Sequence, residues 1–340
     1  MKMTREEGIN KTFPGISHLV ILGAGASIAS TMRNPEKNGK ELPSMNNFID
    51  VVGLNDIIEE LPDEVQDDNF EKLYSNLHAE KPKSDEIKEI QRRVRDYFSD
   101  MELPDEPTIY DYLILSLRPK DFIATFNWDP FLYQAFCRNM DKAPMPHICF
   151  LHGNVAIGYS DEDDKTGPSG MYSKRTGNQF EPTKLLYPVA EKNYNNDQFI
   201  SREWNRFRTR LESDDTKRVT IFGYGAPDTD VEAIDIMKEA WGGAEERNME
   251  QFELINVIEK GELRETWDDF IHTHHYDYGK SFFDSILAKY PRRTGERYMH
   301  QFLPTTPAEA FQEPFPVPQD VDTLEELWDW YEPLFEVERA

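Results

Sequence analysis

The strongest constraint in this chain is a repeated junction, in which a short run of apolar and β-branched residues stops at a glycine, asparagine or histidine turn and passes into a polar or helical stretch. His18–Leu22 runs into Gly23-Ala24-Gly25-Ala26-Ser27, and Asp121–Phe126 into Asn127-Trp128-Asp129-Pro130 and a helical run over 131–140. His147–Leu151 ends in His152-Gly153-Asn154. Arg218–Phe222 ends in Gly223-Tyr224-Gly225, continuing through Asp228 and Asp230 to a helical pattern over 231–241. Phe252–Asn256 reads as a further strand and Phe270–Tyr276 as a sixth. Such alternation predicts an α/β fold with a Rossmann-like, mostly parallel sheet and helices on both faces. Ligands of these sheets bind beyond the carboxyl ends of the strands. Gly23, Asn127, His152 and Gly223 each directly follow a strand, so turns from distant parts of the chain are expected to line one crevice.

Other segments fit around this frame. Residues 1–300 read as one unit with a helical insertion over about 40–118, its helices near 46–61, 68–78, 84–101 and 108–117. The Asp-, Gly-, Ser- and Lys-rich stretch 154–184 reads as a mobile loop beside the crevice. Residues 301–340 form a proline-rich tail and a terminal helix carrying Leu324, Leu327, Trp328, Tyr331, Leu334 and Phe335 on one stripe, among many acidic residues. That stripe docks either on its own chain or on a partner. Its own chain is favoured, because an exposed aromatic face of this size would be sticky.

Composition excludes several functions. In 340 residues, 38 Lys and Arg stand against 64 Asp and Glu, a net charge of −26. A general nucleic-acid binder needs a cationic footprint, so none is expected. Nucleotides are not excluded, since backbone N–H groups can hold phosphates without lysine. Cys137 and Cys149 are the only two cysteines, which rules out a disulfide scaffold and a four-cysteine zinc site and suits a reducing cytoplasm. The start lacks the apolar core of a signal peptide, and Leu19–Ala29 falls short of the ~20 residues that span a bilayer, so no membrane association is expected.

Each candidate motif carries a plainer alternative. The Gly23–Ser27 turn can cradle a pyrophosphate, or it is simply a tight strand-to-helix turn; Ile28 stands where a dinucleotide fingerprint would have its third glycine. Asn127 and Asp129 can orient a ribose or a water, while Asp129 followed by Pro130 also suits a helix start. His152 is either a general base or a structural histidine. His272 and His274, next to His275, would share a strand face and could begin a metal site, but no third ligand is evident and no metal is expected.

Taken in order, these turns resemble the sirtuin catalytic domain over roughly residues 17–290. Gly23-Ala24-Gly25-Ala26-Ser27 resembles its first cofactor loop, Thr125-Phe126-Asn127-Trp128-Asp129 its Thr-Gln-Asn-Ile-Asp turn, and His152-Gly153 its catalytic His-Gly. Gly223-Tyr224-Gly225 stands in the place of a later glycine-rich loop, and Asn256 resembles a strand-end asparagine that touches the adenosine ribose. The resemblance implies NAD as substrate, Asn127 and Asp129 at the nicotinamide ribose, His152 as general base, and the Gly23–Ser27 and Gly223–Gly225 turns with Asp228 and Asn256 around the dinucleotide. Residues 154–184 hold no cysteine for the zinc module of the protein deacylases, and their Phe-Gly-Glu segment is missing. The chain therefore looks most like the zinc-free, sirtuin-like NAD hydrolases of bacterial anti-phage defence. That resemblance implies a cytoplasmic, NAD-depleting enzyme that self-assembles or works with a hexameric ATPase or an Argonaute-like partner. An NAD-dependent deacylase and a non-catalytic module sensing NAD or ADP-ribose are the alternatives.

Overall fold

Strand β1 (Ser17–Leu22) is buried along its whole length, which its uniformly apolar centre requires of a strand covered on both faces. The computed structural model describes residues 3–32, 40–189, 194–226, 230–247, 249–272, 276–302 and 312–339. Among these, β1 lies at the centre of a six-stranded sheet with β2 (Phe122–Thr125), β3 (His147–Phe150), β7 (Thr216–Phe222), β8 (Gln251–Ile255) and β9 (Tyr276–Gly279). The order is β3-β2-β1-β7-β8-β9 and every ladder is parallel. The order in which successive strands are added reverses between β1 and β7, the doubly wound arrangement whose crevice opens above that pair.

Alternation along the strands divides the core. Val20 and Leu22 pack with Phe48, Leu73, Val94 and Phe98, whereas Leu19 and Ile21 pack with Trp204, Phe207, Met237 and Trp267. The first face is covered by α2 (Ala24–Thr31), α3 (Phe48–Val52), α4 (Asn55–Ile58), α5 (Phe70–Glu80), α6 (Asp85–Ser99), α7 (Ile109–Leu115) and α8 (Phe131–Asn139). The second face is covered by α9 (Gln198–Glu212), α10 (Val231–Trp241) and α11 (Lys260–Trp267). Helices α3 to α7 are the predicted insertion, and they share one continuous core with the sheet. The helix expected over 46–61 is broken by Gly53, whose left-handed backbone (φ 76°) caps α3.

Further differences have local causes. Residues 154–184 are not an irregular loop: β4 (Ile157–Ser160), β5 (Lys165–Pro168) and β6 (Glu181–Pro182) form a small antiparallel sheet in the order β5-β4-β6. Its polar residues supply turn chemistry, with Asp164 left-handed (φ 48°) and accepting a 2.6 Å hydrogen bond from the Tyr159 hydroxyl. The sixth strand begins at Tyr276 rather than Phe270, because Phe270 and Ile271 turn back from α11 into the apolar layer. His272 sits in that turn, 3.1 Å from the Gly242 carbonyl, and His274 and His275 lie outside the described residues. Toward the carboxyl end, α12 (Ile286–Lys289) and α13 (Thr294–Phe302) precede α14 (Leu324–Arg339), against which the first helix, α1 (Arg5–Asn10), packs. The stripe of α14 docks on its own chain: Leu327, Tyr331, Leu334 and Phe335 are buried, and the Trp328 indole donates to Asn139 Oδ1 at 2.7 Å. None of the described helices is long and apolar enough to cross a membrane.

Candidate active site

At the carboxyl ends of β1, β2, β3 and β7 lies a cleft of about 330 Å³. Its wall holds Gly23, Ala24 and Ser27 from the first turn, Phe126 to Asp129 from the second, His152 from the third, and Gly223, Tyr224, Gly225 and Asp230 from the fourth. The helical insertion closes it with Phe48, Glu71 and Phe98. Of the predicted residues, Gly25, Ala26 and Asn256 are not on this wall, and Asp228 lies outside the described residues. Asn256 sits at the end of β8, where its side-chain oxygen accepts from the Ile258 amide at 3.2 Å.

Glycine at the first and fourth turns serves backbone packing before it serves any ligand. Gly223 is left-handed (φ 64°), and a Cβ there would collide with the Ala26 amide. A Cβ on Gly23 would strike the Tyr224 backbone. The two turns interlock, Gly25 N donating to Gly223 O and Gly23 N to Phe222 O, both at 3.0 Å, while Ala26 N bonds Gly23 O at 3.0 Å. Most amides that a pyrophosphate cradle would use are therefore spent within the protein. Ala24, the first residue of α2, stays on the cleft wall.

The second turn is held by a dense polar cluster. Asn127 Nδ2 donates to Gly23 O (2.8 Å) and Ser27 Oγ (2.9 Å), and lies 3.2 Å from the Tyr110 hydroxyl. Asp129 Oδ2 accepts from Ser27 Oγ at 2.7 Å, and its Oδ1 accepts from the Phe131 amide at 3.2 Å, which starts α8. The helix-start role and the polar-cluster role of Asp129 thus coexist. Burial pushes its carboxyl up to about 6 despite these bonds. Behind both residues, the fully buried Asn154 donates to Asp129 O (2.6 Å) and Asn127 O (3.2 Å), tying the third turn to the second.

His152 lines the same cleft. The Phe126 ring meets it edge-on at 4.8 Å and Tyr194 lies parallel at 6.1 Å, its hydroxyl 3.5 Å from His152 Nε2. Asp230 Oδ1 is 3.9 Å from the same nitrogen, and Asp230 Oδ2 accepts from Tyr224 OH at 2.9 Å. The Asp230 carboxylate and the Tyr194 hydroxyl thus both face the Nε2 side of the His152 ring. Phe126 also stacks on Tyr224 at 4.2 Å, so an aromatic wall separates the Asp129 cluster from the Asp230 pair. Tyr110, Asn154, Tyr194 and Asp230 were not singled out from the sequence. The available signal was polar tips on buried aromatics, which must find partners. Among the described residues no group of three or more His, Cys, Asp or Glu is placed to hold a metal ion.

No family model matches the chain, and no curated protein matches it. Among solved structures it is similar to a Sir2 homologue in complex with NAD, at 13% identity over 87% of this chain and 92% of that one, with a TM-score of 0.38. A variant Sir2 homologue with ADP-ribose matches at 13% identity over 88% and 98% of the two chains, with a TM-score of 0.38. A further variant complex with ADP-ribose matches at 14% identity over 86% and 93%, also with a TM-score of 0.38. Likeness this loose places no residue, and the chemistry of the cleft stands on its own side chains.

Proposed function

We propose that this cleft binds NAD⁺ and hydrolyses its nicotinamide–ribose bond, giving nicotinamide and ADP-ribose. The observation that carries this reading is the placement of Asn127 and His152 on one cavity wall, above the point where the order of strand addition reverses. A cationic pyridinium leaves as neutral nicotinamide, taking the electron pair of the bond, and the ribose passes through an oxocarbenium-like state as in glycoside hydrolysis. Such a reaction needs an anchored ribose, an oriented water and a base to take its proton. Asn127, with Nδ2 committed to the protein, presents its oxygen to a ribose hydroxyl or the water. His152, backed by Asp230, accepts the proton. Asp129, on the same wall, accepts one bond on each oxygen from the chain, which steadies the turn and leaves lone pairs for the sugar hydroxyls.

A free NAD hydrolase would be toxic to its own cell. This reading therefore includes a restraint, relieved by self-assembly or by a defence partner that reshapes the helical layer over the cleft. Chromatography of NAD⁺ incubated with the full chain, alone and with candidate partners, tests it. Nicotinamide and ADP-ribose in equal amounts without any peptide support hydrolysis. Turnover that requires an acetyl-lysine peptide assigns the cleft to a deacylase, and tight binding without turnover under every condition assigns it to a sensing module.

A further inference from the structure

The proton count around Ser27 leaves one role open, and a residue of the helical insertion fills it. Ser27 Oγ lies 2.7 Å from Asp129 Oδ2, 2.7 Å from the Tyr110 hydroxyl and 2.9 Å from Asn127 Nδ2. A hydroxyl offers one proton and two lone pairs, so this is a full set. A carboxylate only accepts and an amide nitrogen only donates. Ser27 therefore donates to Asp129, accepts from Asn127, and must accept from Tyr110. Tyr110 in turn donates to Ser27 and sits 3.2 Å from Asn127 Nδ2, which it receives as an acceptor. The other amide proton goes to Gly23 O at 2.8 Å, so Ser27 Oγ and the Tyr110 hydroxyl share a single proton of Asn127 Nδ2. With Nδ2 held on this side, Asn127 has only its oxygen to turn to the cleft it lines.

We propose that Tyr110 is a positioning residue: its hydroxyl, reaching from α7, locks the Asn127 side chain with Oδ1 toward the substrate. The proposal rests on the hydrolase reading for its kinetic consequence, but its geometric content is independent of it. The Tyr110 ring is fully buried, so phenylalanine keeps the packing and removes only the hydroxyl. Without it Ser27 loses one of its two incoming donors, keeping that of Asn127, and becomes a weaker donor to Asp129, because linked hydrogen bonds polarise one another. The Asp129 carboxylate is then less stabilised. Groups facing it are Ser27 from α2, Tyr110 from α7 and the Phe131 amide of α8, while Glu71, His152, Tyr224 and Asp230 are other titratable groups on the cleft wall.

The test is Tyr110→Phe in the full chain, with Tyr331→Phe as a control whose buried hydroxyl also bonds α7, at Ser116 and Tyr112, but is not on the cleft wall. The expected result is a kcat about tenfold lower, KM within about twofold of the parent, and an acid limb of the pH profile moved to higher pH. Tyr331→Phe is expected to move none of these. Nitrogen-15 NMR of the Asn127 side-chain amide reads the geometry without turnover: both protons exchange slowly in the parent, and the one shared between Ser27 and Tyr110 exchanges faster in Tyr110→Phe. Tyr110→His, which keeps a ring N–H, carries the test if Tyr110→Phe does not fold, and its expected outcome is a protected Asn127 amide. Parent-like kcat, acid limb and amide signals in Tyr110→Phe overturn the proposal. A parent that never releases nicotinamide overturns the hydrolase reading alone, and the amide signals still decide Tyr110.

Discussion

Both ends of the central sheet bury charge, but they do so differently. At the amino end of the strands, Arg118 and Lys120 pair with Glu296 (2.7 and 3.1 Å), and Arg292 and Arg293 both pair with Glu338 from α14 at 2.5 Å. Burial acts to raise the Glu338 carboxyl, yet the two guanidiniums outweigh it and hold the group below the usual carboxylate range. Arg292 itself is left-handed (φ 62°), a conformation sustained by its bonds to Glu338, to the carbonyls of Leu115 and Leu117, and from its own amide to Ser116. At the carboxyl end, Asp129 is more deeply buried than Glu338 and accepts from a hydroxyl and an amide, with no cation among the described residues bonded to it, and burial raises its carboxyl to about 6. Paired buried charges bind the tail and α13 to the body. Asp121, before β2, is also held by neutral donors alone, the amides of His18 and Arg118, but of these two carboxylates only Asp129 lines the cleft, where such a group is placed to take part in chemistry.

The contrast can be broken by experiment. Glu338→Ala leaves two buried guanidiniums without their carboxylate and is expected to cost about 3–5 kcal/mol in urea unfolding, while the folded fraction keeps the parent's rate of nicotinamide release. His152→Ala should do the reverse. A lost general base lowers the rate by at least about 10²-fold, or about 2.7 kcal/mol of barrier, with the unfolding midpoint little changed. Equal nicotinamide release by this variant and the parent would remove His152 from the mechanism.

Asp129 sharpens the comparison through pH. Its folded pKa, about 6, lies above the ordinary aspartate value, so the unfolded chain ionises first as pH rises. The parent should therefore lose about 2–3 kcal/mol of stability from this group between pH ~4 and ~6, whereas Asp129→Asn should not show that component. Glu338 has the opposite sign: its contribution is present above the ordinary glutamate range and fades as pH falls through its lowered folded pKa. Denaturation midpoints of parent, Asp129→Asn and Glu338→Gln across this range separate the two slopes. The smallest effect is expected from Tyr331→Phe, about 1 kcal/mol, because it removes one hydroxyl from Ser116 at 2.7 Å and leaves the packing of α14 in place.

Much of the frame is readable along the chain. The strand at Ser17–Leu22, the turns at Gly23, Asn127, His152 and Gly223, and the stripe of α14 all follow from residue spacing, since local pattern and turn chemistry act over a few residues. Where spacing failed, a tertiary preference had won. Phe270 and Ile271 read as strand because they are apolar, yet the layer around Trp267 takes them into a turn. The polar run near Asp164 reads as loop, yet its residues are the ones a hairpin turn requires.

What the sequence by itself determined is the set of segments and the kind of residue each strand delivers to the sheet edge. It could not determine which donors and acceptors remain for a ligand. The amides of Gly23 and Gly25 look available in a motif, and only the packing of the fourth turn against the first shows them spent. Tyr110 looks like another core aromatic until α7 brings its hydroxyl to Ser27. Hydrogen-bond capacity is consumed in pairs, and these partners lie 83 or more residues apart in the chain, so only the folded chain decides what is left over.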